Sequence, residues 1–222
     1  MQDFKVGKLF GVDIYLNFWL LIFLGCVFIF QGIGNFLLFS LAFLCVLLHE
    51  FGHIFAAKHY NISCKKVLLT PIGGLAMLNY VESAKNYKPF RDFVIAVCGP
   101  LVNLGLCIIA IIGEVIYKSS TGQNFANTHD FFYYLFFLNA LLLIFNLIPA
   151  YPMDGGRIYK SILSIFFDYQ KSGRIAGLTG MILGTLMAGF FLFKLALMGM
   201  LIGCFITFLA YVEYQSNKVH VK

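Results

Sequence analysis

Apolar residues run along this chain in long blocks rather than in the alternation of an amphipathic surface. Six blocks approach the length needed to cross about 30 Å of hydrocarbon at 1.5 Å per helical residue. They lie at about 14–31, 36–57, 92–117, 131–150, 175–193 and 195–212. Only Lys194 separates the last two, a spacing that predicts a tight helical hairpin. The stretch KKVLLTPIGGLAMLNYV, within 64–81, breaks this pattern. It reads as two short β-prone runs interrupted at Pro71 to Gly74. It is too apolar for a free loop and too short to span, so it is expected to dip into the membrane face, where protein or a wet cavity covers its backbone. The pattern therefore predicts an all-α polytopic membrane protein with six transmembrane helices and a small membrane-dipping β-hairpin.

The polar positions orient these spans. Lys and Arg favour the cytoplasmic side of short loops. If every block spans, all basic residues except Lys118 and Lys194 fall on one side, which places both termini in the cytoplasm. The first block follows Lys5 and Lys8 in the manner of a signal peptide, but no small-residue cleavage site follows it, so it reads as a retained span. No repeat, low-complexity tract or soluble domain interrupts residues 1–222, which read as a single integral-membrane domain.

Composition sharpens this picture. Of the 222 residues, 60% are hydrophobic and 12% charged, and the mean hydropathy is +0.85. A soluble domain carries about 25% charged residues. A net charge of +6 would suggest nucleic acid in a soluble chain; in this one it suits the anionic inner leaflet instead. Six cysteines, none in a CxxC pair and five inside apolar blocks, read as small buried hydrophobes.

Against this background LLHEFGHIFAAKH, residues 47–59, stands out. His49 and His53 lie at i and i+4, on one helix face, so both imidazoles reach one ion. Glu50 beside the first histidine completes HExxH, in which the glutamate activates a metal-bound water. Three ionisable groups within a span are costly and mark function. Catalytic zinc takes three protein ligands plus water. Asp154, in NLIPAYPMDGGR at the end of the fourth block, is the best-placed acidic residue, because the second and fourth spans end on the same side. Pro149 and Pro152 break the helix there, and Gly155 and Gly156 let the backbone fold tightly. The competing reading of Asp154 is a capping aspartate before a helix beginning near Arg157. His59, His129 and His220 read as solvated surface groups, and the Phe-rich run 131–137 as lipid-facing or packing residues.

With HEFGH at 49–53, NLIPAYPMDGG at 146–156, TPIGG at 70–74, CGPLVN at 98–103 and GVDIYLNFW at 11–19, the sequence resembles the zinc-dependent intramembrane (site-2) protease family, and the last of these looks like the family's N-terminal strand leading into its first span. The resemblance covers most of residues 11–160 and implies a catalytic core over about 36–160, with flanking spans at 14–31, 175–193 and 195–212. It implies one zinc ion held by His49, His53 and Asp154, with Glu50 as catalytic base. Asn146 stands where the family binds the substrate backbone or the developing oxyanion. Gly73 and Gly74 fall in the family's membrane-dipping loop, and Pro152 is assigned to the substrate side of the site. Asn103 either orients groups near the site or bonds across helices. The implied substrate is a single-span membrane protein such as a pro-transcription factor, an anti-sigma factor or a remnant signal peptide. A regulatory membrane partner is compatible with this and direct nucleic-acid binding is not expected. The implied location is a prokaryotic cell membrane. Many relatives carry a PDZ domain or a C-terminal nucleotide-sensing domain and this sequence shows neither; its loop and motif style looks closest to the short bacterial branch that processes sporulation pro-sigma factors. Two rivals remain: an intramembrane metal or proton transporter, and a pseudoprotease that binds membrane segments without cutting them.

Overall fold

The computed structural model describes residues 3–79, 87–121 and 131–217. His129, His220, Lys85, Lys218, Lys222 and the end of the expected hairpin at 80–81 lie outside these. The described chain runs β1 (Asp3–Leu9), β2 (Val12–Asn17), α1 (Phe18–His59), β3 (Cys64–Thr70), β4 (Gly73–Leu78), α2 (Pro89–Thr121), α3 (Phe131–Asn146), α4 (Asp154–Leu163), α5 (Tyr169–Phe193) and α6 (Leu197–Ser216). Four helices are long and apolar enough to cross a membrane: α1, α2, α5 and α6. The protein is thus mostly helical with a small sheet.

Two compact units divide the chain. The first contains residues up to 80 together with 98–143; the second contains 81–97 and 144 onward. In the first unit α1 is broken at Gly32, whose φ of 81° and ψ of 177° no helix accommodates and which glycine tolerates for want of a Cβ. Ring contacts between Phe28 and Phe36 (5.6 Å) and between Phe23 and Phe39 (5.2 Å) show that the two arms run back antiparallel. The apolar blocks expected at 14–31 and 36–57 correspond to these arms, except that residues 14–17 precede the helix.

The expected hairpin is present as β3 and β4, antiparallel around the break at Pro71 and Ile72. It belongs to a larger sheet than the sequence suggested, four strands in the order β1-β2-β3-β4. The all-α description is corrected on this point. Residues 14–17, assigned by hydropathy to the first span, finish β2, which pairs in parallel with β3. Asn17 then caps α1 by accepting from the Trp19 amide at 3.0 Å, so the helix starts at Phe18. Val12, Val67 and Leu69 of the sheet pack with Leu20, Phe51 and Ile54 of the two α1 arms into one core. The sheet is therefore anchored on the arm that carries the HExxH turn.

In the second unit α5 and α6 form the expected hairpin, turning at Lys194 to Ala196. They meet through small residues: Gly177 faces Tyr214, Gly180 faces Ala210 and Gly203 faces Ala188. Close backbone approach of this kind is how helices associate without a hydrophobic gain in lipid. A buried polar knot ties α4 and α6. Lys160 donates to Glu213 at 2.9 Å and lies 4.0 Å over the Tyr169 ring, while Asn217 donates to the same carboxylate at 2.9 Å.

α3 ends at Asn146 and holds 16 residues, short of the block expected over 131–150. Pro149 and Pro152 explain the stop, since neither can donate to a helical carbonyl.

Candidate active site

In the first unit His49 and His53 sit one turn apart on the second arm of α1, both buried. Their rings meet edge to face at 4.8 Å, and their Nε2 atoms are 3.1 Å apart. Two glycines make room for this pair. A Cβ at Gly52 would lie 2.5 Å from the Cys98 carbonyl oxygen of α2. A Cβ at Gly99 would strike both imidazoles, meeting His53 Nε2 and Cε1 and lying 2.8 Å from His49 Cε1. CGPLVN thus presents bare backbone to the histidines.

One turn further along α2, Asn103 Oδ1 lies 2.5 Å from His49 Nδ1. Asn103 Nδ2 donates to Asn139 Oδ1 of α3 at 2.9 Å, and Asn139 Nδ2 donates to the Leu135 carbonyl at 2.8 Å and to Cys45 Sγ at 3.2 Å. Asn103, Asn139 and Cys45 are 0% exposed. Of the two readings of Asn103, orientation of a site group is therefore the one its contacts support, and it bonds across helices as well. Asn139 escaped the sequence reading, although a lone amide in FFYYLFFLNALLLIFN is the signal that could have found it.

Glu50 turns toward β4. Its Oε2 accepts from the Ala76 backbone N–H at 3.2 Å. A Cβ at Gly74 would lie 2.6 Å from Glu50 Cγ and 2.9 Å from Oε1. Gly74 is thus where the strand passes the carboxylate. The Ala76 N–H is thus directed at Glu50, and β4 is the last strand in the order of the described sheet. Gly73 has φ of 145° and its carbonyl accepts from Thr70 Oγ1 at 2.9 Å. On β3, burial pushes the Cys64 thiol pKa up, and the charge of Glu50 adds to the shift.

The second unit holds the other motif on one short segment. Asn146 is the last residue of α3 and is half-buried; Pro152 is exposed. The chain between them turns through backbone bonds from Ala150 N to Ile148 O (2.7 Å) and from Met153 N to Ala150 O (3.0 Å). Asp154 is buried and is the first residue of α4, with Met153 as the N-cap and Arg157 3.9 Å away. The helix begins at Asp154, not near Arg157, so the capping-aspartate reading does not hold. A Cβ on Gly155 would collide with the Ile148 carbonyl, and one on Gly156 would lie 2.7 Å from Tyr151 N, which is why the turn needs DGG.

The donor set of the first unit suits a metal. Two ring nitrogens bound to one tetrahedral zinc at 2.0–2.1 Å lie about 3.3 Å apart, close to the observed 3.1 Å. The bond from His49 Nδ1 to an amide oxygen is the outer contact that metal-bound imidazoles usually make.

Membrane-length helices, a buried HExxH turn and an asparagine behind its first histidine define a class: polytopic membrane proteins built around a metallopeptidase motif. The chain belongs to peptidase family M50, whose model matches residues 36–119 and 114–192. It is 35% identical over 222 residues to the zinc metalloprotease MJ0392 of Methanocaldococcus jannaschii, an alignment spanning 98% of this chain and 62% of that protein. It is 33% identical over 189 residues to the putative zinc metalloprotease sll0528 of Synechocystis sp., covering 78% of this chain and 47% of the relative. Stage IV sporulation protein FB of Bacillus subtilis is 28% identical over 183 residues, covering 81% and 59% respectively. The chain thus spans about half to three-fifths of the length of these relatives. The solved structure of a site-2 protease from Methanocaldococcus jannaschii matches with a TM-score of 0.69 and 34% identity, over 96% of this chain and 95% of that one.

Proposed function

We propose that the protein is an intramembrane zinc metalloendopeptidase that cuts peptide bonds in or near the membrane segments of single-span proteins. The observation that carries this reading is the HExxH turn with its two buried histidines, His49 held by Asn103 and Glu50 set against the β4 backbone. Membership of peptidase family M50 supports it.

His49 and His53 are two zinc ligands and Asp154 is the third. Support for Asp154 comes from its burial, from the glycines that shape its turn and from the donor count of a catalytic zinc site. When bound, zinc lowers the pKa of a water and polarises the scissile carbonyl. Glu50 takes the proton of the attacking water and passes it to the leaving amine. The Ala76 amide steadies the carboxylate by donating to its Oε2. Asn146 donates to the substrate carbonyl as negative charge grows there. Asn103 holds the His49 ring so that the ligand geometry needs no reorganisation during turnover.

A transmembrane helix hides its amides in its own hydrogen bonds and must unwind before it can be cut. The outer edge of β4, through Gly73, Gly74 and the amides beyond them, accepts the unwound segment by strand addition, and Pro152 is a further substrate-side residue. Substrates with helix-breaking residues near their cytoplasmic end are accordingly favoured. Among substrate classes, pro-transcription factors, anti-sigma factors and remnant signal peptides fit, with a regulatory membrane partner setting the timing. The two arms of α1 together with α2, α3, α5 and α6 make six spans. The lysine and arginine asymmetry sets both termini and the active site on the cytoplasmic side of a prokaryotic membrane.

The test compares membrane-protein fragments in cells expressing wild type or Glu50→Gln at equal levels. Single-span proteins should accumulate uncut only with Glu50→Gln, at a rate loss of about 10²–10⁴-fold. Matching fragment profiles, with zinc bound in both forms, would sink the protease reading.

A further inference from the structure

The metal motif does not account for Asn139, a second amide buried completely in the most apolar helix of the protein. A side-chain amide is directional: its oxygen only accepts and its nitrogen only donates. The direction of this one is fixed by the helix backbone. Its nearest partner besides Asn103 is the Leu135 carbonyl at 2.8 Å, and two oxygens at that distance would repel. Asn139 must therefore place Nδ2 on Leu135, where its second hydrogen reaches Cys45 Sγ. Its Oδ1 then faces Asn103, which has to donate Nδ2 at 2.9 Å. That leaves Asn103 Oδ1 toward His49, and an amide oxygen 2.5 Å from Nδ1 requires that nitrogen to carry the proton.

We propose that Asn139 is a positioning residue for the metal site, acting through Asn103 to hold His49 in the tautomer protonated on Nδ1. A carbonyl on α3 thus dictates which ring nitrogen His49 presents to the metal. The relay needs both amides in one orientation, and burial removes the water that would otherwise satisfy either group in both orientations. Only Nε2 then offers a lone pair, on the side where Nε2 of His53 lies 3.1 Å away. This inference rests on the zinc reading given above.

The test measures zinc affinity of the purified full chain in detergent, by competition with a chromophoric chelator. The forms compared are wild type, Asn139→Leu, Asn103→Leu and the double variant. Outer partners of metal ligands typically contribute about 10–100-fold in affinity, so Asn139→Leu should weaken zinc binding by that factor. The double variant should bind no more weakly than Asn103→Leu alone, because Asn139 acts only through Asn103. ¹⁵N spectra of the imidazoles without zinc should show His49 as a single Nδ1–H tautomer in wild type and as a mixture in Asn139→Leu. Leucine suits an apolar helix, but should that variant fail to fold, Asn139→Asp decides. A buried neutral carboxyl still accepts from Asn103 and donates to Leu135, so near-wild-type affinity is expected. Wild-type zinc affinity in Asn139→Leu, additive losses in the double variant, or an Asn139→Asp protein as weak as Asn103→Leu would overturn the relay alone. A wild-type protein that binds no zinc would overturn the metal reading and the relay with it.

Discussion

Replacing Gly99 by alanine sets two opposing effects against each other. Alanine is the better helix former by about 1 kcal/mol, and Gly99 lies inside α2, so propensity alone predicts a gain. The new methyl would lie 2.8 Å from His49 Cε1 and closer still to the His53 ring. Carbon atoms in contact normally stand about 3.5–4.0 Å apart, so the His49 ring or the helix has to move by roughly 0.7–1.2 Å, and the His53 ring by more. Metal sites tolerate ligand errors of about 0.2 Å, so this displacement exceeds the tolerance several-fold. Overpacking of this kind costs about 1–3 kcal/mol. If the strain falls on the imidazoles, zinc affinity drops by about 5- to 150-fold. Gly105→Ala is the control, because that position is on the same helix and meets nothing within 4 Å. It should keep full zinc affinity and unfold no more easily than wild type. Both proteins are assayed by chelator competition and thermal unfolding in detergent. Gly99→Ala binding zinc as tightly as Gly105→Ala, with unchanged unfolding, would refute the steric argument.

Gly74→Ala places its methyl 2.6 Å from Glu50 Cγ and should slow cleavage strongly while zinc content stays at the wild-type level; equal loss of both would show that Glu50 is not what the strand constrains. Lys160→Met strips the cationic partner from Glu213, leaving it the Asn217 amide; the Glu213 side chain is 21% exposed. Breaking a fully buried pair costs about 3–5 kcal/mol, so a loss of about 2–3 kcal/mol is expected in a denaturant titration at this partly wet site. Adding Glu213→Gln should recover at least half of it, and a double variant no more stable than the single one would remove the ion pair from the account of α4 and α6.

Hydrocarbon is a severe filter, and what it forbids can be read without coordinates. Long apolar blocks fixed the helices, and the spacing of His49, Glu50 and His53 announced a metal-type turn because i and i+4 share a helix face wherever the helix lies. Breakers did the same for the ends: Pro149 and Pro152 marked where α3 stops, and the glycines of DGG, in the first turn of α4, let the preceding turn pack closely against it. The break in α1 was legible too, as the gap between the blocks at 14–31 and 36–57; the positive φ of Gly32 shows where in that gap the chain turns.

Pairing between distant segments was beyond the sequence. By alternation alone β1 and β2 do not stand out beside a membrane span, although the resemblance pointed to a strand within 11–19, and the parallel partnership of β2 with β3 exists only because the doubled α1 returns the chain to the first strands. Hydropathy misassigned residues 14–17 for the same reason: a strand buried against helices is as apolar as a span. Asn103 was visible as a polar residue in an apolar helix, but its role depended on a nitrogen 54 positions away in sequence. Asn139, Gly99 and Ala76 became informative only once their neighbours were known, because an amide's direction, a missing methyl and a backbone N–H acquire meaning from what lies within about 3 Å of them. Local composition and periodicity determined what this protein is made of; packing decided which atoms face the histidines and the glutamate.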